Sequence, residues 1–241
     1  MSAIIITDLT KKYGTLTAVD HLSLTIEKGE LFSLLGMNGA GKTTTIKMLS
    51  CLIPPTEGDA VMLGDSIREN PNAVKQKTNI SPQETAVAPN LTVRENLEFI
   101  AGIYGQNAEA SVKSAKEMSS RFGLDDVLGN KARTLSGGMQ RRLSIAMALI
   151  SDPQILFLDE PTLGLDVIAR RELWASIRQL KKQVTIILTS HYLEEVEALS
   201  DRIGVMTKGK LVAVGTTADL TAQTGTGNLE DAFVVLSGGV L

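Results

Sequence analysis

The sequence predicts an α/β fold: a mostly parallel sheet covered by helices, with an antiparallel β-subdomain at the N-terminus and an inserted helical subdomain. Three observations predict it. Short apolar runs at 31–35, 155–158 and 184–188 read as strands buried on both faces. Between the last two, Leu173, Ile177 and Leu180 recur at helical spacing with Trp174 beside them, and strand–helix–strand alternation implies parallel pairing. Across 91–150 the strand signals fade and helical stretches take over.

Residues 1–30 alternate apolar and polar, as in Leu22-Ser23-Leu24-Thr25-Ile26, with Lys28-Gly29 as a turn. That pattern predicts antiparallel strands with one wet face. Leu31-Phe32-Ser33-Leu34-Leu35 ends in glycines and predicts a buried strand. A helix is expected over 43–52, stopped by Pro54-Pro55. Further helices are expected at 93–104, 108–122 and 138–150. Residues 203–214, broken by Lys208-Gly209, predict a β-hairpin. A short amphipathic piece at 229–236 lies in a glycine-punctuated tail. The expected organisation is one domain. Its α/β core spans 1–83 and 151–220, its helical insert 84–150, and its tail 221–241.

At 241 residues, 43% of them hydrophobic and 21% charged, the chain has the length and composition for a packed core. A net charge of −3 argues against broad binding to nucleic acid, and no nucleic-acid partner is expected. Cys51 is the only cysteine, which excludes an internal disulfide and a cysteine-rich metal site. It is expected to be a small core residue. No apolar run reaches the ~20 residues of a membrane span, and no targeting segment is expected. If the protein works at a membrane, a separate polypeptide is expected to cross it.

Gly36-Met37-Asn38-Gly39-Ala40-Gly41-Lys42-Thr43 fits G-x-x-x-x-G-K-[ST] between a predicted strand and a predicted helix. The glycines let backbone amides curl toward phosphate oxygens, and the helix N-terminus faces the same anion. Lys42 is expected to reach the β- and γ-phosphates of a nucleotide and Thr43 to ligate Mg²⁺. Thr44 is expected to join the same site. Leu156-Phe157-Leu158-Asp159-Glu160 ends a buried strand in two carboxylates, which costs desolvation unless a cation or hydrogen bonds compensate. Asp159 suits a Mg²⁺ ligand or a partner of one. Glu160 suits a base that orients or deprotonates an attacking water.

Between these two motifs lies Leu135-Ser136-Gly137-Gly138-Met139. The whole series resembles the ATP-binding cassette (ABC) ATPases, along nearly the full chain. By that resemblance, Tyr13 in Lys12-Tyr13-Gly14 stacks on adenine. Gln83 in Ser81-Pro82-Gln83-Glu84 senses Mg²⁺ and the γ-phosphate. Ser136, Gly137 and Gly138 form the family's signature. Asp166 in Leu163-Gly164-Leu165-Asp166 crosses to a partner subunit, and His191 in Thr189-Ser190-His191 contacts the γ-phosphate. Met139 stands where the family often has glutamine, and Gln140 follows it.

The resemblance implies an ATPase using ATP and Mg²⁺. Two ATP-binding subunits, identical or related, close head to tail around ATP and open on hydrolysis. A second partner is implied: integral membrane transporter subunits, gripped around 85–96, with the ATPase peripheral on the cytoplasmic face. Leu229-Glu230-Asp231-Ala232-Phe233 resembles the drug, antibiotic-resistance and sodium-export branch. The alternative within the family is a soluble ABC ATPase acting in remodelling or translation. Such proteins carry two cassettes or long coiled coils, and neither pattern is seen in this sequence. A nucleoside kinase would leave Ser136, Asp166 and His191 unexplained.

Overall fold

The computed structural model describes residues 1–239. In chain order the elements are β1 (Ser2–Tyr13), β2 (Leu16–Glu27), β3 (Leu31–Leu35), α1 (Lys42–Leu49), β4 (Glu57–Met62), β5 (Asp65–Ser66), α2 (Pro71–Lys77), β6 (Thr78–Ser81), α3 (Val93–Ile103), α4 (Ala108–Arg121), α5 (Gly137–Leu149), β7 (Ile155–Asp159), α6 (Val167–Arg178), β8 (Thr185–Ser190), α7 (Leu193–Leu199), β9 (Arg202–Thr207), β10 (Lys210–Gly215), α8 (Thr217–Thr224) and α9 (Leu229–Leu236). Val240 and Leu241, the end of the tail read from the sequence, lie outside the described residues.

The central sheet has the order β10-β9-β3-β8-β7-β6. All its pairings are parallel except β9 with β10, which fold back through Lys208-Gly209. Both turn residues have positive φ, 50° and 82°, the backbone that matches the right-handed twist of a hairpin. Every residue of β3, β7 and β8 is buried. Alternation along a strand divides them between two cores. Phe32, Leu34, Ile155, Phe157 and Ile187 face α1 and the antiparallel sheet. Leu31, Leu156, Leu158, Ile186 and Leu188 face α3, α5 and α6. Each such side chain contributes about 1.5–3 kcal/mol by leaving water.

The antiparallel sheet has the order β2-β1-β4-β5. Ile4 pairs with Ile26 and Ile6 with Leu24, and these apolar residues cover the first core. A register shift between Ile6 and Leu9, with Asp8 at φ 48°, changes the parity so that Leu9 also points inward. The outward face stays wet, as the alternation predicts.

Two details differ from the sequence expectation. The first helix ends at Leu49, not at 52. Leu52 N–H donates to Lys47 O and Cys51 N–H to Met48 O, a Schellman cap with Cys51 at φ 56° in the position glycine usually takes. The helix is closed by this cap before the prolines are reached. Cys51 is accordingly half-buried at the rim of the first core, not within it.

The helices of 93–149 pack on the far face of the sheet. Thr92 and Glu95 form a reciprocal capping box at α3. Asn96, buried, accepts from Ala88 N–H and donates to the Ala88 and Thr92 carbonyls, so it clasps the loop that follows Gln83. α5 lies against β6 and β7, and Ser144 meets Ser81 at 2.9 Å. Among the described residues no helix is long and apolar enough to cross a membrane.

Candidate active site

β3 runs straight into the glycine loop and α1 leaves it. A Cβ on Gly36 would lie 2.5 Å from the Met206 carbonyl oxygen. Gly41 has φ 102°, and a Cβ there would lie 2.5 Å from Ala18 O. Only glycine fits either place. Gly41 caps α1 without any side-chain bond, so the first N–H groups of the helix stay open to an anion.

Lys42 is buried. Its Nζ donates to Gly36 O at 2.7 Å and Met37 O at 3.2 Å, and it lies 3.2 Å from Glu160 Oε1. Glu160 follows β7 with its backbone in the left-handed region, φ 47°. Its N–H donates to both the carbonyl and the hydroxyl of Thr189 on β8. Its other oxygen, Oε2, lies 2.8 Å from His191 Nδ1. The imidazole stacks beside Tyr192, ring centroids 4.1 Å apart, and the Arg170 guanidinium covers that tyrosine at 4.5 Å. Glu160 is thus held between an ammonium and an imidazole.

Asp159 is buried next to it. Its Oδ1 accepts from Thr43 Oγ1 at 3.0 Å and Thr189 Oγ1 at 2.6 Å. A hydroxyl and a carboxylate beside an open helix N-terminus make an all-oxygen set, the donor chemistry Mg²⁺ takes. The residues fit that ion.

Tyr13, residues 38–44, Gln83, Glu160 and His191 line one cavity of about 740 Å³. Gly36 backs on the sheet, and Met37 points to solvent, 68% exposed. Tyr13 is half-exposed at the rim; Lys11 sits 5.3 Å from its ring and donates to Pro54 O. Ser136, Gly137, Gly138 and Asp166 do not line this cavity. Ser136 caps α5 by accepting from Met139 N–H, and Asp166 caps α6 by accepting from Ala169 N–H. Ser136 and Asp166 are both exposed, with Val167 and Ile168 standing out beside Asp166. The chain therefore carries an uncapped helix end inside the cavity, α1, and a Ser136-capped helix end outside it, α5.

One residue of the site is missing from the sequence reading. Arg141 on α5 is 4% exposed. Its guanidinium donates to the carbonyls of Pro82, Asp159, Glu160 and Pro161. It ties the signature helix to the loop of Gln83 and to the backbone of both strand-end carboxylates. Burial pushes its pKa down, opposed by the carboxylates of Asp159, Glu195 and Glu160. The sequence shows two adjacent arginines and nothing to separate Arg141 from Arg142, which pairs with Glu172 near the surface.

The sequence pattern of the family described as ABC transporter matches residues 19–163. The chain is 41% identical over 235 residues to the Probable multidrug ABC transporter ATP-binding protein YbhF of Escherichia coli (strain K12), covering 95% of this chain and 40% of that protein. It is 43% identical over 219 residues to the linearmycin resistance ATP-binding protein LnrL of Bacillus subtilis (strain 168), covering 90% of this chain and 70% of that one. It therefore spans only part of either relative. Among solved structures, an ATP-binding subunit of an ABC transporter superposes with a TM-score of 0.86 at 27% identity, covering 98% of this chain and 99% of the other. A dimeric ATP-binding cassette in a post-hydrolysis state with ADP and Pi superposes at 0.79 with 26% identity, covering 88% and 98%.

Proposed function

This chain belongs to the ABC transporter family, and on that footing we propose that it binds MgATP above the 36–43 loop and hydrolyses it to power a membrane exporter. The observation that carries the reading is Glu160, held at the cavity floor between Lys42 and His191. A carboxylate so placed beside a phosphate loop is positioned to take a proton from water.

The residues divide the work. The amides of 38–44 and the N-terminus of α1 bind the phosphates. Lys42 leaves the Gly36 and Met37 carbonyls to reach the terminal phosphates. Thr43 and Asp159, with Gln83 lining the same cavity, would hold a magnesium ion, which would supply positive charge to the site when bound. Glu160 orients or deprotonates the attacking water, and His191 contacts the γ-phosphate. Tyr13 stacks on the base. Ser136, Gly137 and Gly138 lie outside the lining of their own cavity, which supports a head-to-tail pair in which each signature closes the partner's site.

For the membrane subunits we infer a groove at 85–96 and α3, where Phe99, Ile103 and Tyr104 stand exposed. Placement on the cytoplasmic face and an export direction follow from this reading. The drug- and antibiotic-resistance names of the two relatives support the export branch. Glu160→Gln tests the centre: we expect phosphate release to fall at least ~100-fold while ATP binding persists, in line with the weight of a positioned base. Unchanged turnover contradicts the assignment.

A further inference from the structure

Glu195, on α7, is fully buried. Trp174 Nε1 of α6 donates to its Oε1 at 3.1 Å. Its second oxygen, Oε2, has no hydrogen-bond partner, and neither has the Thr162 hydroxyl, which is also fully buried. The Thr162 and Ser190 hydroxyls lie beside the carboxyl. Ser190 Oγ already accepts from Tyr192 N–H.

The charges around the carboxyl do not pair with it. Arg141 of α5 spends its donors on four carbonyls. Glu160, after β7, is itself acidic and disfavours a second anion. α6 presents Trp174, while its Arg170 covers Tyr192 and its Arg178 reaches the Ala198 carbonyl. β3 has no titratable side chain, and of the α9 acids Glu230 is exposed while Asp231, half-buried, accepts from the Asn228 side chain. A buried carboxylate without a cation in contact is costly, and burial pushes the pKa of this group up, opposed by the Ser190, Thr162 and Trp174 side chains. One hydrogen bond between Oε2 and Thr162 Oγ1 satisfies both orphans at once; a protonated Oε2 is its donor and an ionised one its acceptor.

We propose that Glu195 is a positioning residue for the hydrolytic centre: its carboxyl accepts from the Trp174 indole and donates to the Thr162 hydroxyl, fixing the 161–166 loop against the strand end that carries His191. Thr162 lies between Glu160 and Asp166 in the chain, and Ser190 directly precedes His191. Releasing the carboxyl frees the loop that sets both the Glu160–His191 pair and the partner-facing Asp166. The inference rests on the hydrolytic reading above.

The test compares Glu195→Ala, Glu195→Gln and Thr162→Val in the full chain, by ATP turnover and by infrared spectroscopy at neutral pH. Misplacement of reacting groups lowers kcat, so Glu195→Ala is expected to lose ~10–100-fold in kcat with its KM for ATP within about 2-fold. Glu195→Gln, which keeps a donor and an acceptor and cannot ionise, is expected to retain wild-type turnover. Thr162→Val is expected to follow the alanine variant, and it decides the question if that variant does not fold. The wild-type spectrum is expected to show a protonated-carboxyl band that Glu195→Gln lacks. A carboxylate band at Glu195, or full turnover in Glu195→Ala or Thr162→Val, overturns the proposal. Absence of turnover in the wild type would instead overturn the hydrolytic reading, and the infrared band would still decide the state of Glu195.

Discussion

At Glu160 a left-handed backbone, an N–H donated to two Thr189 oxygens and two opposed side chains fix one carboxylate. A non-glycine residue at such φ costs on the order of 1–3 kcal/mol, held here by its neighbours. Arg141 is the largest of those neighbours. We expect Arg141→Met to destabilise the fold by about 3 kcal/mol or more, because it leaves buried carbonyls unpaired; urea unfolding measures it, and a loss under about 1 kcal/mol contradicts this role for Arg141. Glu195 makes a signed pH prediction. Burial pushes its pKa up, so the native state holds a proton that the unfolded chain loses at the ordinary carboxylate value. Its contribution is intact below that value and is lost as pH rises toward the native one, by up to about 1.4 kcal/mol per pH unit. Glu195→Gln should therefore gain stability relative to wild type on going from acid to neutral pH, and a constant difference in unfolding midpoint contradicts it. The glycine loop and Asp159-Glu160 were legible because phosphate binding demands particular residues at particular spacing. Arg141 and Glu195 were not, because a charged residue on a helix reads as a solvated face until the packing around it is known.

The elements were legible where burial dominates composition. β3, β7 and β8 are continuous apolar runs, and the turn at Lys208-Gly209 carries its own signature. The 57–81 segment carries no such signal. β4 holds Glu57, Gly58 and Asp59, and β6 is Thr78-Asn79-Ile80-Ser81; both are strands through pairing, with β1 and β7. The end of α1 was misplaced because a left-handed cap can be made by cysteine as well as glycine. α3 offers a graded test. Thr92→Ala removes a capping hydroxyl and should cost about 1 kcal/mol. Asn96→Ala unties the loop after Gln83 and should cost more, about 1–3 kcal/mol, because the Ala88 N–H and carbonyls lose their partner. The reverse order in chemical denaturation would sink this view of the loop.

On the scale of the molecule, the N-terminus of α1 opens inside the cavity and the capped N-terminus of α5 lies outside its lining. α1 opens into the cavity with Lys42, Glu160 and His191, while Ser136 on α5 and Asp166 on α6 point outward. That separation is why motif order was readable in the sequence while the relation between sites was not: spacing along a chain does not say which face a helix end looks from. On the proposed reading, one chain supplies half of each of two nucleotide sites, and a second cassette completes them. Sedimentation equilibrium of Glu160→Gln with MgATP, and separately with MgADP, tests this directly. Dimers are expected with MgATP and monomers with MgADP, since only the uncleaved nucleotide would span both halves. Monomers that bind MgATP and never pair would contradict this reading.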